Sequence, residues 1–249
     1  MAGFPGGVAL SELTVYDWEA ADGCAGGTPH LHTASSEGYV VVAGAGAVQT
    51  LSSVGREEHP LAPGDIVSFT PGTVHRLING GDLRLLVVMS NAGLPEAGDA
   101  VMTFPDDVLA DPEAYARAAA LPAGGSDDAR AAAARARRDL ALEGYASLCA
   151  AIDEEGPSAL ERFHRRAAAL VQPRVARWRT IWQQTVAAET DATRAQLDAL
   201  EAGRRGALGE AAVTRATPRD ARGFGMCGRL TTWQWPTQAI EDGGVDRRA

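Results

Sequence analysis

The chain contains no lysine, so all 23 of its basic residues are arginine. That excludes a Schiff-base lysine and the lysine of a phosphate-binding P-loop. Cysteine is almost as scarce. Cys24, Cys149 and Cys227 stand far apart with no C-x-x-C pair, which argues against a zinc knuckle and supplies no disulfide framework. No apolar run approaches the ~20 residues needed to cross a bilayer. The first residues hold no basic segment leading into an apolar stretch, so no secretory leader is expected and the cytoplasm is the expected location.

Positive charge is missing from one half. Residues 1–109 carry 3 Arg against 13 acidic side chains, net −10, while residues 110–249 carry 20 Arg against 19, net +1. An acidic N-terminal half is a poor surface for nucleic acid. The interleaved Arg and acidic residues of the second half read as solvated helical faces. Neither a nucleic acid nor a membrane is expected as a partner.

Histidine is rare, five in 249 residues, yet three of the five fall in one pattern. His30-Leu31-His32 is followed after four residues by Glu37, and His75 lies further on in Gly64-Asp-Ile-Val-Ser-Phe-Thr-Pro-Gly-Thr-Val-His75-Arg-Leu-Ile-Asn79. Side chains two apart on a strand share a face, so His30 and His32 point the same way. Three imidazoles and a carboxylate suit a divalent metal of the Fe, Mn, Ni, Zn or Cu group, with Fe(II) favoured. On a metal that prefers six ligands they leave positions open for water, oxygen or a chelating substrate. A lone His-x-His would read as surface histidines on a small β domain. Four ligands at two matched spacings read as a metal site.

At these residues the chain resembles the cupin superfamily. The first family motif, from its first His onward, is matched by His30, His32, Glu37 and Gly44. Its leading Gly falls on Cys24, flanked by Gly23 and by Gly26-Gly27. The second motif is matched by Gly64, Gly72, His75 and Asn79, with Thr70 at the Pro position and Pro71 displaced by one. The resemblance covers roughly residues 8–92. It implies a β-barrel (double-stranded β-helix) with His30, His32, Glu37 and His75 on the metal, and a homodimer. It says little about the reaction, because the fold hosts many chemistries.

The fold class expected is α+β: an N-terminal cupin β-barrel followed by a mainly α-helical C-terminal region. The barrel with a trailing helix is assigned to residues 1–121, and the mainly helical region with a possible terminal strand to 122–249. Strands are expected near 8–18, 39–43, 47–52, 65–69, 75–79 and 83–89, with turns at Gly44-Ala-Gly46 and Asn79-Gly-Gly-Asp82. Asp111 with Pro112 reads as a helix start. Beyond Pro122–Ser126 the texture turns to Ala, Arg and Leu, good helix formers. Trp178 and Trp182, four apart, read as a helix-packing stripe, and Trp233 and Trp235 as strand residues packing on the barrel or on a dimer mate. The tail after Pro236 reads as disordered.

Tyr39 lies two residues past Glu37 and should share its face. A phenol beside a metal could serve as acid, base or substrate hydrogen bond. It could equally be an ordinary barrel-lining aromatic. Phe69, Leu77 and Met89 are candidate cavity walls, and Arg76 should point away from the metal. The first functional reading is a metal-dependent cupin enzyme acting on a small organic molecule, an oxygenase by preference, with Glu37 and Tyr39 as candidate catalytic residues. Two alternatives stay open. One is an isomerase or lyase using the metal and Tyr39 for proton transfer. The other is a metal-bearing binder or sensor without turnover.

Overall fold

The structure, a computed structural model, describes residues 4–236. The tail expected to be disordered lies outside the described residues. The N-terminal half is antiparallel β. Its strands are β1 (Ala9–Val15), β2 (His30–His32), β3 (Glu37–Ser52), β4 (Gly55–Leu61), β5 (Ile66–Phe69), β6 (Val74–Met89) and β7 (Ala100–Met102). Alternation along them sends Leu13, Val15, Tyr39, Val41, Leu77 and Leu85 into the barrel interior. Full burial of such a side chain contributes about 1.5–3 kcal/mol.

The spine of the barrel is the pair β3 and β6, each 16 residues long and antiparallel. The sequence suggests turns at Gly44–Gly46 and at Asn79–Asp82. The structure instead runs one bent ladder through both. The register slips between Val41 and Gly46, where Ala45 faces Gly81 and Gly46 faces Asn79. Small residues on both strands let the ladder bend without ending. Gly44 has φ +76°, and a Cβ there would lie 2.2 Å from the Asp82 carbonyl oxygen, so no larger residue fits. Asn79 pins the bend. Its Nδ2 donates to the Val15 carbonyl at 3.1 Å, and its Oδ1 accepts from the Gly81 and Leu83 amides.

Two strands escape sequence patterning. β4 carries Arg56, Glu57, Glu58 and Pro60 and pairs only with β3. Charges and a proline are what an edge strand tolerates. β7 is too short to show a period.

The helices start and stop where capping chemistry places them. The Asp111 carboxylate accepts from the Glu113 amide at 2.8 Å to open α2 (Pro112–Ala119), after a short α1 (Asp106–Ala110). Ser126 accepts from the Ala129 amide to open α3 (Asp127–Glu155). Gly156, at φ +70°, divides α3 from α4 (Pro157–Val171). Pro173 sits in a 3₁₀ turn before α5 (Val175–Trp182), and a π-helical segment, Gln183–Ala187, leads into α6 (Ala188–Glu201). Tyr145, Leu160, Phe163 and Trp178 pack against Leu31 and Leu51 of the sheet. The Trp178 indole donates to the Ala97 carbonyl, while Trp182 is exposed, so the expected packing stripe contributes one tryptophan and not two.

After two short strands, β8 (Thr217–Pro218) and β9 (Gly223–Phe224), the chain returns to the sheet. Strand β10 (Gly228–Gln234) pairs antiparallel with β1, from Ser11 opposite Thr232 to Val15 opposite Gly228. Among the described residues no helix is long and apolar enough to cross a membrane.

Candidate metal centre

β2 is three residues long and fully buried, and its alternation turns His30 and His32 to one side. His75, the second residue of β6, lies directly opposite His30. Glu37 opens β3 between Phe69 of β5 and Met89 of β6. The turn before His75 is held from two directions. The Gly72 amide donates to the His32 carbonyl at 2.8 Å, and the Gly72 carbonyl accepts from His164 Nε2 of α4 at 2.8 Å. A histidine with no role in the sequence pattern thus ties the helical region to the loop that delivers His75.

The four side chains converge. Each of His30, His32, Glu37 and His75 offers one atom, and these atoms lie within 4.8 Å of one another, all on buried residues. Each imidazole is oriented through its other nitrogen. Nδ1 of His30 donates to the Thr28 carbonyl at 2.8 Å, Nδ1 of His75 to the Thr73 carbonyl at 3.1 Å, and Nδ1 of His32 to the Asp99 carboxylate at 2.7 Å. A carbonyl can only accept, so Nδ1 must carry the proton in His30 and His75, and in the neutral ring Nε2 presents its lone pair. On His75 that lone pair faces the Glu37 carboxylate. Glu37 Oε2 lies 2.9 Å from His75 Nε2 and 3.4 Å from His32 Nε2. Both Glu37 Oε2 and His75 Nε2 are buried and lack a hydrogen-bond partner among the described residues. Buried acceptors crowded on one point are costly unless something positive sits between them. Nitrogen and carboxylate donors with second-sphere partners fit a divalent ion.

Electrostatics follow the same geometry. Burial and the neighbouring His75 and His32 hold His30 well below its ordinary range. Burial also opposes a charge on His32, but the Asp99 hydrogen bond and the nearby Glu37 and Asp99 carboxylates outweigh it and raise that group to about 10. Glu37 resists the upward push of burial because His75 and His32 hold it well below the carboxylate range. A proton and a metal ion therefore compete for the same lone pairs.

Tyr39 is completely buried and lines the same cavity, as strand parity requires. Burial and the Glu37 charge push its phenol well above 10. Its hydroxyl has no hydrogen-bond partner among the described residues. Phe69 stacks on His75, ring centres 4.9 Å apart, and Met89 lines the cavity, while Leu77 belongs to the barrel core. Arg76 points away from the histidines, as alternation demands, and pairs with Asp22.

The cavity has a volume of about 690 Å³, within the range of small-molecule sites. Trp233 and Trp235, expected to pack on the barrel or on a dimer mate, line its mouth. Two further residues carry no sequence signal. Asp99 is buried completely, 67 positions from the histidine it orients. Cys227 lines the cavity with its thiol pushed up to about 12 by burial and by Glu37. The displaced motif glycine has a physical counterpart, since a Cβ on Gly27 would lie 2.6 Å from the Cys227 Cα.

Residues 17–89 match the family model of the cupin domain. No curated protein matches the chain. Among solved structures, the chain is similar to a cupin protein from Bacteroides fragilis at 21% identity, over 34% of this chain and 65% of that one, with a TM-score of 0.26. It is similar to a protein from Thermotoga maritima described as a predicted oxalate decarboxylase at 21% identity, over 33% and 64%, TM-score 0.26. A third is a TDP-quinovose 3,4-ketoisomerase from Campylobacter jejuni, at 16% identity over 33% and 60%, TM-score 0.27. The chain thus spans less than two thirds of each of these relatives.

Proposed function

From a chain that carries a cupin domain at residues 17–89, we propose a metal-dependent enzyme acting on a small organic molecule, with an oxygenase as the first reading. His30, His32, Glu37 and His75 would hold the ion, Fe(II) by preference, with Mn, Ni, Zn or Cu as alternatives. The observation that carries this reading is the convergence of four buried ligand atoms whose imidazoles are locked through Nδ1. A bound divalent ion would supply Lewis acidity or oxygen activation. The chain's own contribution is orientation and exclusion of water. Thr28, Thr73 and Asp99 fix the rings, and the barrel walls cover the cluster. Three free cysteines suit a reducing compartment such as the cytoplasm as its place.

One observation favours a second reading, an isomerase or lyase. Tyr39 sits in the cavity beside Glu37 with its phenol held protonated, so it could supply a proton to a substrate. The deciding experiment loads the protein with Fe(II) without air, measures bound metal, and follows oxygen uptake across a panel of small organic molecules. The oxygenase reading expects one metal per chain and substrate-dependent oxygen uptake. Turnover without oxygen uptake selects the second reading. A His75→Ala protein that keeps wild-type metal content would overturn the metal assignment.

A further inference from the structure

The residues matched to the cupin domain form the floor of the cavity, but its mouth comes from elsewhere in the chain. Phe4 and Gly7 precede the match, Thr185 and Glu189 lie on the π-helical segment and α6, and Trp233 and Trp235 lie on and just past β10. These segments are joined to one another. A Cβ on Gly7 would lie 3.0 Å from the Val186 Cα, and β10 is paired along β1. π-helical turns inside helices occur often at functional sites, because the extra residue redirects side chains.

The lining is distinctive in what it lacks. Among the described residues no arginine faces this cavity, although the chain holds 23. Its charged side chains, apart from the histidines, are Glu37, Glu96 and Glu189. The walls above the cluster are apolar: Leu13, Val87, Met89, Met226 and Leu230. A carboxylate or phosphate entering here would lose its water and meet the Glu96 and Glu189 carboxylates, with no arginine in the lining to pair it. An apolar body would gain from the walls and from two indole rings, and a protonated amine would gain further from indole faces and from Glu189.

We propose that this cavity takes a predominantly apolar molecule without an anionic group, neutral or amine-bearing, gripped at the mouth by Trp233 and Trp235. The inference rests on the reading of the cavity as the substrate site, and not on which metal the cluster holds.

A matched series tests it: 2-naphthylmethanol, 2-naphthylmethylamine and 2-naphthoate, titrated by calorimetry and tryptophan fluorescence into metal-free and metal-loaded protein. The metal-free arm removes direct coordination of the carboxylate. There the alcohol and the amine should bind and quench, and naphthoate should bind about tenfold more weakly or worse. Trp233→Ala should weaken the alcohol by about fivefold or more with metal content and melting temperature kept. Glu189→Arg should bring naphthoate to parity with the alcohol. Naphthoate binding as tightly as the alcohol to metal-free wild type would overturn the proposal. So would failure of all three to bind, or Trp233→Ala and Glu189→Arg proteins that bind all three as wild type does. Metal content of the same samples separates this from the proposed function. A protein that takes up no divalent ion yet binds naphthylmethanol would overturn the metal reading and support this one.

Discussion

Nδ1 of His32 donates to a carboxylate oxygen of Asp99 across 2.7 Å, and Asp99 is wholly buried. The second Asp99 oxygen accepts from the Ser35 amide at 3.0 Å. One aspartate thus orients the ring and fixes the backbone that leads from His32 toward Glu37. A partner of this kind fixes the ring with Nε2 facing the cluster and raises its basicity toward a metal. Asp99→Asn should lower metal affinity by about tenfold and Asp99→Ala by up to about a hundredfold, measured by competition with a chelator. Unchanged affinity in both would show that Asp99 serves only the loop.

A second buried charge depends on a more exposed partner. The Arg76 guanidinium is 2% exposed and makes two hydrogen bonds to Asp22, whose side chain is 43% exposed. Burial works to raise the Asp22 carboxyl, but the hydrogen bonds and charge of Arg76 hold it below its ordinary value. Asp22→Asn should cost about 1–2 kcal/mol at pH 7 by chemical denaturation, discounted for the solvent around Asp22. The sign with pH follows. A depressed folded value gives stability that is present above the unfolded value of about 3.9 and lost as pH falls through the folded one. The gap between wild type and Asp22→Asn should therefore shrink on acidification below pH 4. A constant gap would show that the pair contributes packing and not charge.

The clustering of His30, His32, Glu37 and His75 was legible because its information is local. His30 and His32 need only strand parity, and Glu37, Gly44, Gly72 and His75 sit at short fixed spacings. The helix start at Asp111 was legible for the same reason, since a cap is a contact within three residues, while at Ser126 the sequence marked only the boundary and not the cap. What lay beyond the sequence is long-range. Asp99 reads as one acid among many until β7 pairs with β2. Trp233 and Trp235 alternate as on any strand, and only the pairing of β10 with β1 brings them to the cavity that His30, His32 and Glu37 line. The glycines at 44–46 and 79–82 misread as turns because a bend within a paired ladder uses the same residues as the end of one.

Oligomeric state is a further expectation, implied by resemblance to cupins. Val42 and Ile66 are 43% and 73% exposed on neighbouring strands of the barrel. Burying such side chains against a second copy would contribute to association. Sedimentation at micromolar concentration should give a homodimer, and Ile66→Asp should shift it toward monomer. A wild-type monomer would remove the homodimer.

Tyr39→Phe separates the two enzymatic readings. The Tyr39 hydroxyl is buried without a hydrogen-bond partner, so its removal leaves nothing unpaired and keeps the wall volume. Stability should change by less than about 1 kcal/mol, and metal content should not change. If the reaction moves a proton onto substrate, the phenol held protonated by burial and Glu37 is its source, and turnover should fall by about a hundredfold or more with KM little changed. If oxygen chemistry at the cluster carries the hard step, turnover should fall by less than about tenfold. Metal loss in Tyr39→Phe would give a third result, placing the phenol among the groups that shape the Glu37 carboxylate and removing it from both schemes.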